Sequence, residues 1–212
     1  MKIAILGYGT VGKGLVQMIE GNKNKRNIEI TSILVRNENK YKSSKYANII
    51  TESIEDIFES NIDILVELMG GLHPSYEYIK RALENKINVV TANKDMLAEY
   101  GDKLVKIAKE NKVSLRFEAS VGGGIPVLKP LTESLEGNSI ESMYAILNGT
   151  TNFILSKMYN EGLSYDEVLK EAQELGFAEA NPEADVEGYD AARKLSILST
   201  LAYNRRVYWR DF

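Results

Sequence analysis

The chain has 212 residues and a net charge of −4, and its 44% hydrophobic and 26% charged residues are the composition of a folded globular protein. A slightly acidic chain without a block of lysine and arginine is a poor binder of nucleic acid, and no apolar run reaches the roughly 18 residues that cross a bilayer. The absence of cysteine excludes disulfides and thiolate chemistry, and we expect a cytoplasmic location.

The first half of the chain alternates strand-like and helix-like segments, which is typical of a parallel sheet covered by helices. Short apolar runs predict the strands, and apolar residues spaced three and four apart predict the helices. In chain order we predict a strand at Lys2–Leu6, a helix around 11–19, a strand at 28–35, a loop at 37–44, a strand at 62–68, a helix around 76–83, a strand at Asn88–Thr91, a helix at 95–111 and a strand at 113–117. The fold class is therefore α/β with a doubly wound parallel sheet.

The pattern changes at the glycines 122–124, which precede Pro126 and interrupt the alternation. Beyond them we predict a strand at 139–147 and helices at 151–160, 164–175 and Tyr189–Ala202. Ser164 and Glu167 form an S-x-x-E capping box at the start of the second of these helices. We place a domain boundary between residues 127 and 128, which gives domains 1–127 and 128–212.

The first strand runs directly into a glycine-rich turn, G-x-G-x-x-G, at residues 7–12. The first glycine allows the tight turn, the second lets the backbone approach a pyrophosphate, and the third lets helix and strand pack closely. The phosphates then meet the free N–H groups at the start of the helix. Because a strand precedes the turn and a helix follows it, we predict a Rossmann-type dinucleotide site rather than a plain glycine turn. The predicted cofactor-binding residues of the turn are Gly7, Tyr8, Gly9, Thr10, Val11 and Gly12.

The end of the second strand bears on which dinucleotide binds. A fold that selects NAD usually has an acidic residue there for the ribose 2′-hydroxyl, whereas this strand ends in Val35 and Arg36. Arg36 is suited to a 2′-phosphate, which favours NADP over NAD. The alternative is that Arg36 is a solvated residue at the end of the strand.

The last predicted helix carries an acid–base pair on its apolar face. On a helical wheel Lys194 lies about 40° from Asp190, in the same arc as Leu198, while Ser196 and Ser199 lie on the opposite arc. Residues four apart on a helix can touch, and two charges on a buried face are costly unless they are paired or used. The pair is either a structural ion pair or a lysine held by a carboxylate for proton transfer.

Three further segments contain residues to be considered for binding or catalysis. Glu179 and Asp185 lie in a proline-containing acidic loop and are either ligands for the ammonium group of a substrate or solvated charges. Thr91 and Lys94 follow a predicted strand at its carboxyl end, where open α/β sheets bind ligands. His73, the single histidine of the chain, precedes a proline in a loop, and we interpret it as a turn residue.

The order of the motifs along the whole chain is similar to one known family. The motifs are the glycine turn at 7–14, ELMGG at 67–71, TANK at 91–94, EASVGGGIP at 118–126, NGTTNFIL at 148–155, GFAEA at 176–180 and DVEGYDAARK at 185–194. Together they resemble the homoserine dehydrogenase family. The resemblance implies a Rossmann-type domain followed by an α+β substrate and dimerisation domain.

The resemblance also implies an activity and a set of site residues. Members of the family interconvert L-homoserine and L-aspartate 4-semialdehyde with NAD(P)(H), on the route to threonine, methionine and isoleucine. The catalytic residues implied are Lys194, as proton donor or acceptor, with Asp190 and Lys94. The substrate-binding residues implied are Glu179, Asp185, Gly149 and Thr150, and the cofactor contacts include Thr91 and Lys94.

Three other features are implied in the same way. The backbone carbonyls of Glu118, Val121, Gly123 and Ile125 would hold a sodium or potassium ion, and the protein would form a homodimer through its second domain and act on a small molecule. Because family members continue past residue 212, we expect domain 128–212 to be incomplete at its C-terminus. The alternatives are a truncated, non-catalytic nucleotide-binding fragment and a related dehydrogenase of a different amino acid or semialdehyde.

Overall fold

The structure, a computed structural model, describes residues 1–21 and 27–212. These residues form two compact units, Met1–Gly123 and Gly124–Phe212. The domain boundary between residues 127 and 128 stays a prediction.

The first unit is built on a parallel sheet of six strands in the described residues, in the order β3-β2-β1-β4-β5-β6. The strands are β1 (Lys2–Leu6), β2 (Glu29–Leu34), β3 (Ile50–Thr51), β4 (Ile64–Glu67), β5 (Asn88–Thr91) and β6 (Leu115–Arg116). The helices are α1 (Thr10–Gly21), α2 (Ile54–Glu59), α3 (Ser75–Glu84) and α4 (Lys94–Asn111). This order is that of a doubly wound Rossmann-type sheet, and the predicted fold class is confirmed.

The central strands are rich in apolar residues because both faces of a parallel sheet are covered by helices. Ile5, Leu6, Ile33 and Leu65 are fully buried, as is Val89 on β5. Such continuous runs are why the strands could be predicted from sequence. The short elements β3 and α2 were not predicted, since two and six residues are too few to show a period.

The second unit consists mainly of helices: α5 (Gly149–Glu161), α6 (Tyr165–Glu174), α7 (Glu183–Val186) and α8 (Tyr189–Ala202), with a short π-helical turn at Pro130–Ser134. The predicted capping box is confirmed, because Ser164 Oγ accepts the Glu167 N–H at 3.4 Å and Glu167 Oε2 accepts the Ser164 N–H at 2.9 Å. The Ser164 hydroxyl also donates to Glu167 Oε2 at 2.7 Å, and this hydrogen bond, with the one from the Ser164 N–H, lowers the pKa of Glu167. Across the described residues, no helix has the length and apolar character needed to span a membrane.

The strand predicted at 139–147 is wrong. The structure has an irregular segment without strand pairing there, and all described strands belong to the sheet of the first unit. Tyr144 and Ile146 are 94% and 77% exposed. The apolar alternation satisfies the local requirement for a strand, but a strand forms only where a second segment supplies its hydrogen-bond partners.

Candidate functional site

The glycine turn of the first unit has the geometry that a bound pyrophosphate requires. Gly7 has a φ of +100°, and a Cβ on it would lie 2.8 Å from the Leu68 carbonyl oxygen. A Cβ on Gly12 would lie 2.2 Å from the Gly7 carbonyl oxygen, so both positions require glycine. A Cβ on Gly9 would meet no atom within 4 Å. The turn is therefore closed against the protein at Gly7 and Gly12 and open at Gly9, where phosphates can approach the N-terminus of α1.

The remaining predicted residues of the turn lie at its rim. Thr10 and Val11 are exposed at the start of α1. Tyr8 packs its ring 5.4 Å from that of Tyr41, and the Tyr41 hydroxyl donates to the Tyr8 carbonyl at 3.3 Å. Burial raises the pKa of Tyr8. These contacts attach the loop after β2 to the glycine turn.

Arg36 is exposed at the carboxyl end of β2. This strand adjoins β1, and the carbonyl of its last residue, Leu34, accepts the Gly7 N–H at 3.0 Å. The sheet therefore brings Arg36 to the same edge as the glycine turn.

A buried carboxylate joins the loops that follow β4 and β5. Glu67 is fully buried and accepts hydrogen bonds from the Met69 N–H at 2.9 Å, the Gly70 N–H at 3.2 Å and the Thr91 hydroxyl at 2.5 Å. Thr91 Oγ1 in turn accepts the Asn93 N–H at 3.0 Å. Sequence reasoning placed Glu67 within a motif but gave it no role. The available signal was a lone acid at the end of an apolar strand.

Two predicted residues lie at the end of β5 and at the start of α4. Thr91 is buried, and its hydroxyl is used within the network. Lys94 is the first residue of α4, and Asn93 caps that helix by accepting the Met96 N–H at 3.1 Å. His73 lies in the loop before α3, and its Nδ1 lies 2.6 Å from the Glu77 carboxylate.

In the second unit the predicted acid–base pair of α8 is in contact. Lys194 Nζ lies 2.7 Å from Asp190 Oδ2, and Asp190 is 5% exposed. The ammonium also donates to the Leu147 carbonyl at 2.8 Å. The expectation that these two side chains touch on a buried part of the helix is confirmed.

The opposite arc of α8 is also covered. Ser196 is fully buried and Ser199 nearly so, although a helical wheel places both away from the apolar face. The Ser196 hydroxyl donates to the Val207 carbonyl at 2.7 Å, and the Val207 N–H donates to Thr200 Oγ1 at 3.1 Å. The chain after α8 folds back along the hydroxyls of Ser196 and Thr200 and satisfies them, which the helical period could not reveal.

Asn148 links the ion pair to a second acid. Its Nδ2 donates to Asp185 Oδ1 at 2.7 Å and to Asp190 Oδ2 at 2.9 Å. Asn148 is also the N-cap of α5, where its Oδ1 accepts the Thr151 N–H at 2.8 Å. Sequence reasoning gave Asn148 no role, and its one local signal was the capping position. The cluster Asn148, Asp185, Asp190 and Lys194 is called the carboxylate cluster below.

The other predicted substrate residues lie on α5 and in the loop before α7. Gly149 is the first residue of α5, and a Cβ on it would meet open space. Thr150 is buried and donates from Oγ1 to the Phe177 carbonyl at 2.7 Å. Glu179 is exposed, and its carbonyl accepts Gln173 Nε2 at 3.2 Å. The structure thus joins Asp185 to Asp190 and Lys194 through Asn148, while Glu179 presents its carboxylate to solvent.

The predicted cation ligands surround the glycines 122–124. In the first unit, Gly122 and Gly123 have φ values of +83° and +58°, and the Glu118 carbonyl accepts the Val121 N–H at 3.5 Å. Ile125 is exposed in the second unit. Within residues 1–21 and 27–212, no cluster of three or more acidic or histidine side chains could hold a metal ion. Neutral carbonyl oxygens suit a monovalent cation.

A separate open cavity of about 530 Å³ lies in the second unit beside α8. Its wall includes Leu147, Ala191, Leu195 and Trp209. Asp190 and Lys194 are not among its lining residues, but the carbonyl of Leu147, which does line it, accepts from Lys194 Nζ. The cavity therefore adjoins the carboxylate cluster without containing it.

Comparison with known proteins relates both units to one family. Residues 7–118 match the family described as homoserine dehydrogenase, NAD binding domain, and residues 126–212 match the family described as homoserine dehydrogenase. A homoserine dehydrogenase of Bacillus subtilis (strain 168) is 44% identical over 219 residues, which cover 100% of this chain and 51% of that protein. The chain thus spans about half the length of the curated relatives that it matches.

Solved structures give the same result. A homoserine dehydrogenase from Thiobacillus denitrificans matches with a TM-score of 0.93 and 42% identity, covering 99% of this chain and 50% of that one. A hyperthermophilic archaeal homoserine dehydrogenase in complex with NADPH matches with a TM-score of 0.85 and 32% identity, covering 97% of this chain and 70% of that one. The first unit carries the glycine turn of an NAD(P)-binding domain, and the second carries the acid–lysine helix. The chain belongs to the homoserine dehydrogenase family.

Proposed function

We propose that the chain catalyses the NAD(P)-dependent interconversion of L-homoserine and L-aspartate 4-semialdehyde. The observation that carries this proposal is the carboxylate cluster, in which Lys194 Nζ is held between Asp190 Oδ2 and the Leu147 carbonyl. An ammonium has three N–H donors, and these two contacts leave one for a substrate oxygen. Membership of the family supports the identity of the substrate pair.

The cofactor proposed is NADP, with NAD as the alternative. When bound, it accepts hydride from the alcohol carbon or returns hydride to the aldehyde carbon. The glycine turn, closed at Gly7 and Gly12, would hold the pyrophosphate at its open side, at Gly9 and the N-terminus of α1, together with Tyr8, Thr10 and Val11. Arg36 would bind the 2′-phosphate. Thr91, at the end of β5, and Lys94, at the start of α4, would contact the cofactor. The complex of the archaeal relative with NADPH supports this choice.

Lys194 moves the proton of the reaction. In the reductive direction its ammonium donates a proton to the aldehyde oxygen, and in the oxidative direction its neutral amine takes the proton from the hydroxyl. Asp190, one helical turn earlier, holds the lysine nitrogen at 2.7 Å and so fixes the position of the proton. We also propose a role for Lys94 beside the cofactor and the substrate.

The substrate is an amino acid, and the acids of the second unit suit its ammonium group. We propose that Glu179 and Asp185 bind that ammonium and that Gly149 and Thr150 line the pocket at the start of α5. Asp185 lies in the four-residue helix α7 and is already linked to Asp190 through Asn148.

Two further features are proposed on the family's pattern. The carbonyls of Glu118, Val121, Gly123 and Ile125 would bind sodium or potassium and order the loop around the glycines. The protein would act as a homodimer through the second domain, with a small molecule as its substrate. Light scattering of the purified chain measures the oligomeric state directly.

The main test is oxidation of NADPH with aspartate semialdehyde, followed by the absorbance of the reduced cofactor. We expect Lys194→Ala to lower kcat by about two to four orders of magnitude, which is typical of the loss of a general acid–base group. Lys157→Ala, which removes an ion pair to Glu171 on the neighbouring helix, is the matched control and should retain activity. Near-normal turnover of Lys194→Ala contradicts the assignment. Cofactor binding without turnover of any related substrate identifies the chain as a non-catalytic nucleotide-binding fragment.

The cofactor preference is tested at Arg36. We expect Arg36→Gln to weaken NADP binding by about tenfold and to leave NAD binding unchanged, because an exposed arginine contributes only modestly to binding a phosphate. A titration of both cofactors against wild type and variant measures this. A clear preference of the wild type for NAD refutes the role of Arg36.

A further inference from the structure

Asn148 occupies a position at which one side-chain amide meets two acids and a helix end. Its Nδ2 lies 2.7 Å from Asp185 Oδ1 and 2.9 Å from Asp190 Oδ2. Its Oδ1 accepts the N–H of Thr151 at 2.8 Å and the hydroxyl of Thr151 at 3.0 Å. Asn148 is 7% exposed, so water competes little for these contacts.

The helix end determines which way the amide of Asn148 points. The Thr151 N–H can only donate, so the atom that faces it must be the amide oxygen. The NH₂ group must then face the two carboxylates. The reverse orientation would place an amide oxygen against two carboxylate oxygens and is excluded by repulsion. The cap of α5 therefore fixes the direction in which the Asn148 NH₂ group donates.

Because the two acids accept from the same nitrogen, their oxygens are held at one fixed separation. Asp190 Oδ2 also accepts from Lys194 Nζ, so one carboxylate oxygen joins the amide and the ammonium. Asp185 and Asp190 lie five residues apart on α7 and α8, and the Gly188 N–H between them donates to the Asp185 carbonyl at 3.2 Å. Asn148 comes from a segment 37 residues earlier than Asp185 and joins both acids from outside. A shift of the amide would move the substrate-facing acid and the lysine-facing acid together.

We propose that Asn148 is a positioning residue that couples the substrate-binding carboxylate of Asp185 to the Asp190–Lys194 pair. This inference rests on the proposed function and deepens it, since it explains how the acid that binds the substrate ammonium keeps a fixed position relative to the lysine that transfers the proton. Asn148 acts through its two acids and does not itself touch the reacting atoms.

The test separates hydrogen-bond donation from helix capping. Serine and aspartate cap a helix about as well as asparagine but cannot donate to both carboxylates, whereas alanine does neither. We expect Asn148→Ser to have a higher thermal midpoint than Asn148→Ala, because the serine retains the helix cap. We also expect kcat/KM for homoserine to fall about 10- to 100-fold, through both kcat and KM, since charge-assisted hydrogen bonds are lost. The KM for NADP should not change.

The other variants define the controls. Asn148→Asp adds a third carboxylate and should be slower than Asn148→Ser. Ser164→Ala removes the cap of α6 in the same unit and should lower the thermal midpoint with unchanged kinetics. If Asn148→Ser and Asn148→Asp resemble wild type while Asn148→Ala is impaired, Asn148 is only a helix cap and the proposal is overturned.

A measurement without turnover keeps this inference separate from the proposed function. In ¹⁵N-labelled protein we expect the Nδ2 protons of Asn148 to exchange slowly with solvent and to shift when Asp185→Asn is introduced. Those of Asn160, exposed on the same helix, serve as the control. A wild-type chain inactive toward homoserine would refute the function and leave this result to stand. Fast exchange at Asn148 would refute the positioning role even in an active enzyme.

Discussion

Glu67→Gln removes the charge of a fully buried carboxylate while preserving its shape. The wild-type carboxylate accepts three hydrogen bonds of 3.2 Å or shorter, from the Met69 N–H, the Gly70 N–H and the Thr91 hydroxyl. A hydrogen bond to a charged group contributes about 1.5–3 kcal/mol and a neutral one about 0.5–1.5 kcal/mol. Neutralising the acceptor therefore loses about 1 kcal/mol for each hydrogen bond.

Two effects modify that figure. A buried amide costs less to desolvate than a buried carboxylate, which offsets part of the loss. In the other direction, the new NH₂ group faces Thr91 Oγ1, which already accepts the Asn93 N–H. We expect a net loss of about 1–3 kcal/mol in the free energy of unfolding of the first unit.

Urea unfolding followed by circular dichroism measures the loss. With a slope of about 2 kcal/mol/M, the midpoint should fall by about 0.5–1.5 M. Glu84→Gln is the matched control, because its carboxylate is exposed and lies 3.1 Å from Lys80 on the same helix. Its midpoint should move by less than about 0.3 M. A Glu67→Gln midpoint no lower than that of the control would refute the reasoning that the buried charge stabilises the loops after β4 and β5.

Two further outcomes follow from the glycine turn and the capping box. Gly12→Ala should destabilise the first unit, because the new Cβ would lie 2.2 Å from the Gly7 carbonyl oxygen. Gly9→Ala should leave the thermal midpoint unchanged and weaken cofactor binding, because its Cβ would meet no protein atom. Equal losses of stability in the two variants would contradict this. The lowered pKa of Glu167 means that its contribution to stability is present above the ordinary glutamate pKa of about 4.3 and is lost as the pH falls through the folded value. Glu167→Gln should therefore reduce the fall of the thermal midpoint between about pH 5 and pH 3, and an unchanged pH dependence would show that the capping box does not contribute.

Much of the fold and part of the site could be predicted from the sequence, because the relevant signals are local. The strand Lys2–Leu6 and the glycine turn follow one another directly in sequence. The buried strands of the parallel sheet can be predicted because each contains a short run of apolar residues. The contact between Asp190 and Lys194 follows from helical spacing alone, since residues four apart share a face. Where the periodicity was strong, as in Tyr189–Ala202, the bounds agree with the structure.

What only the tertiary structure decided involves residues distant in sequence. Asn148 meets Asp185 and Asp190 across 37 and 42 residues, and Glu67 meets Thr91 across 24. No local period carries such information, because the positions of these side chains depend on how separate elements pack. The same reason explains the wrong strand at 139–147 and the buried hydroxyl of Ser196, since a strand needs a partner segment and a polar helix face is buried when another segment satisfies it. The sequence thus determined the elements and the helical acid–base pair, and packing decided which other side chains complete the site.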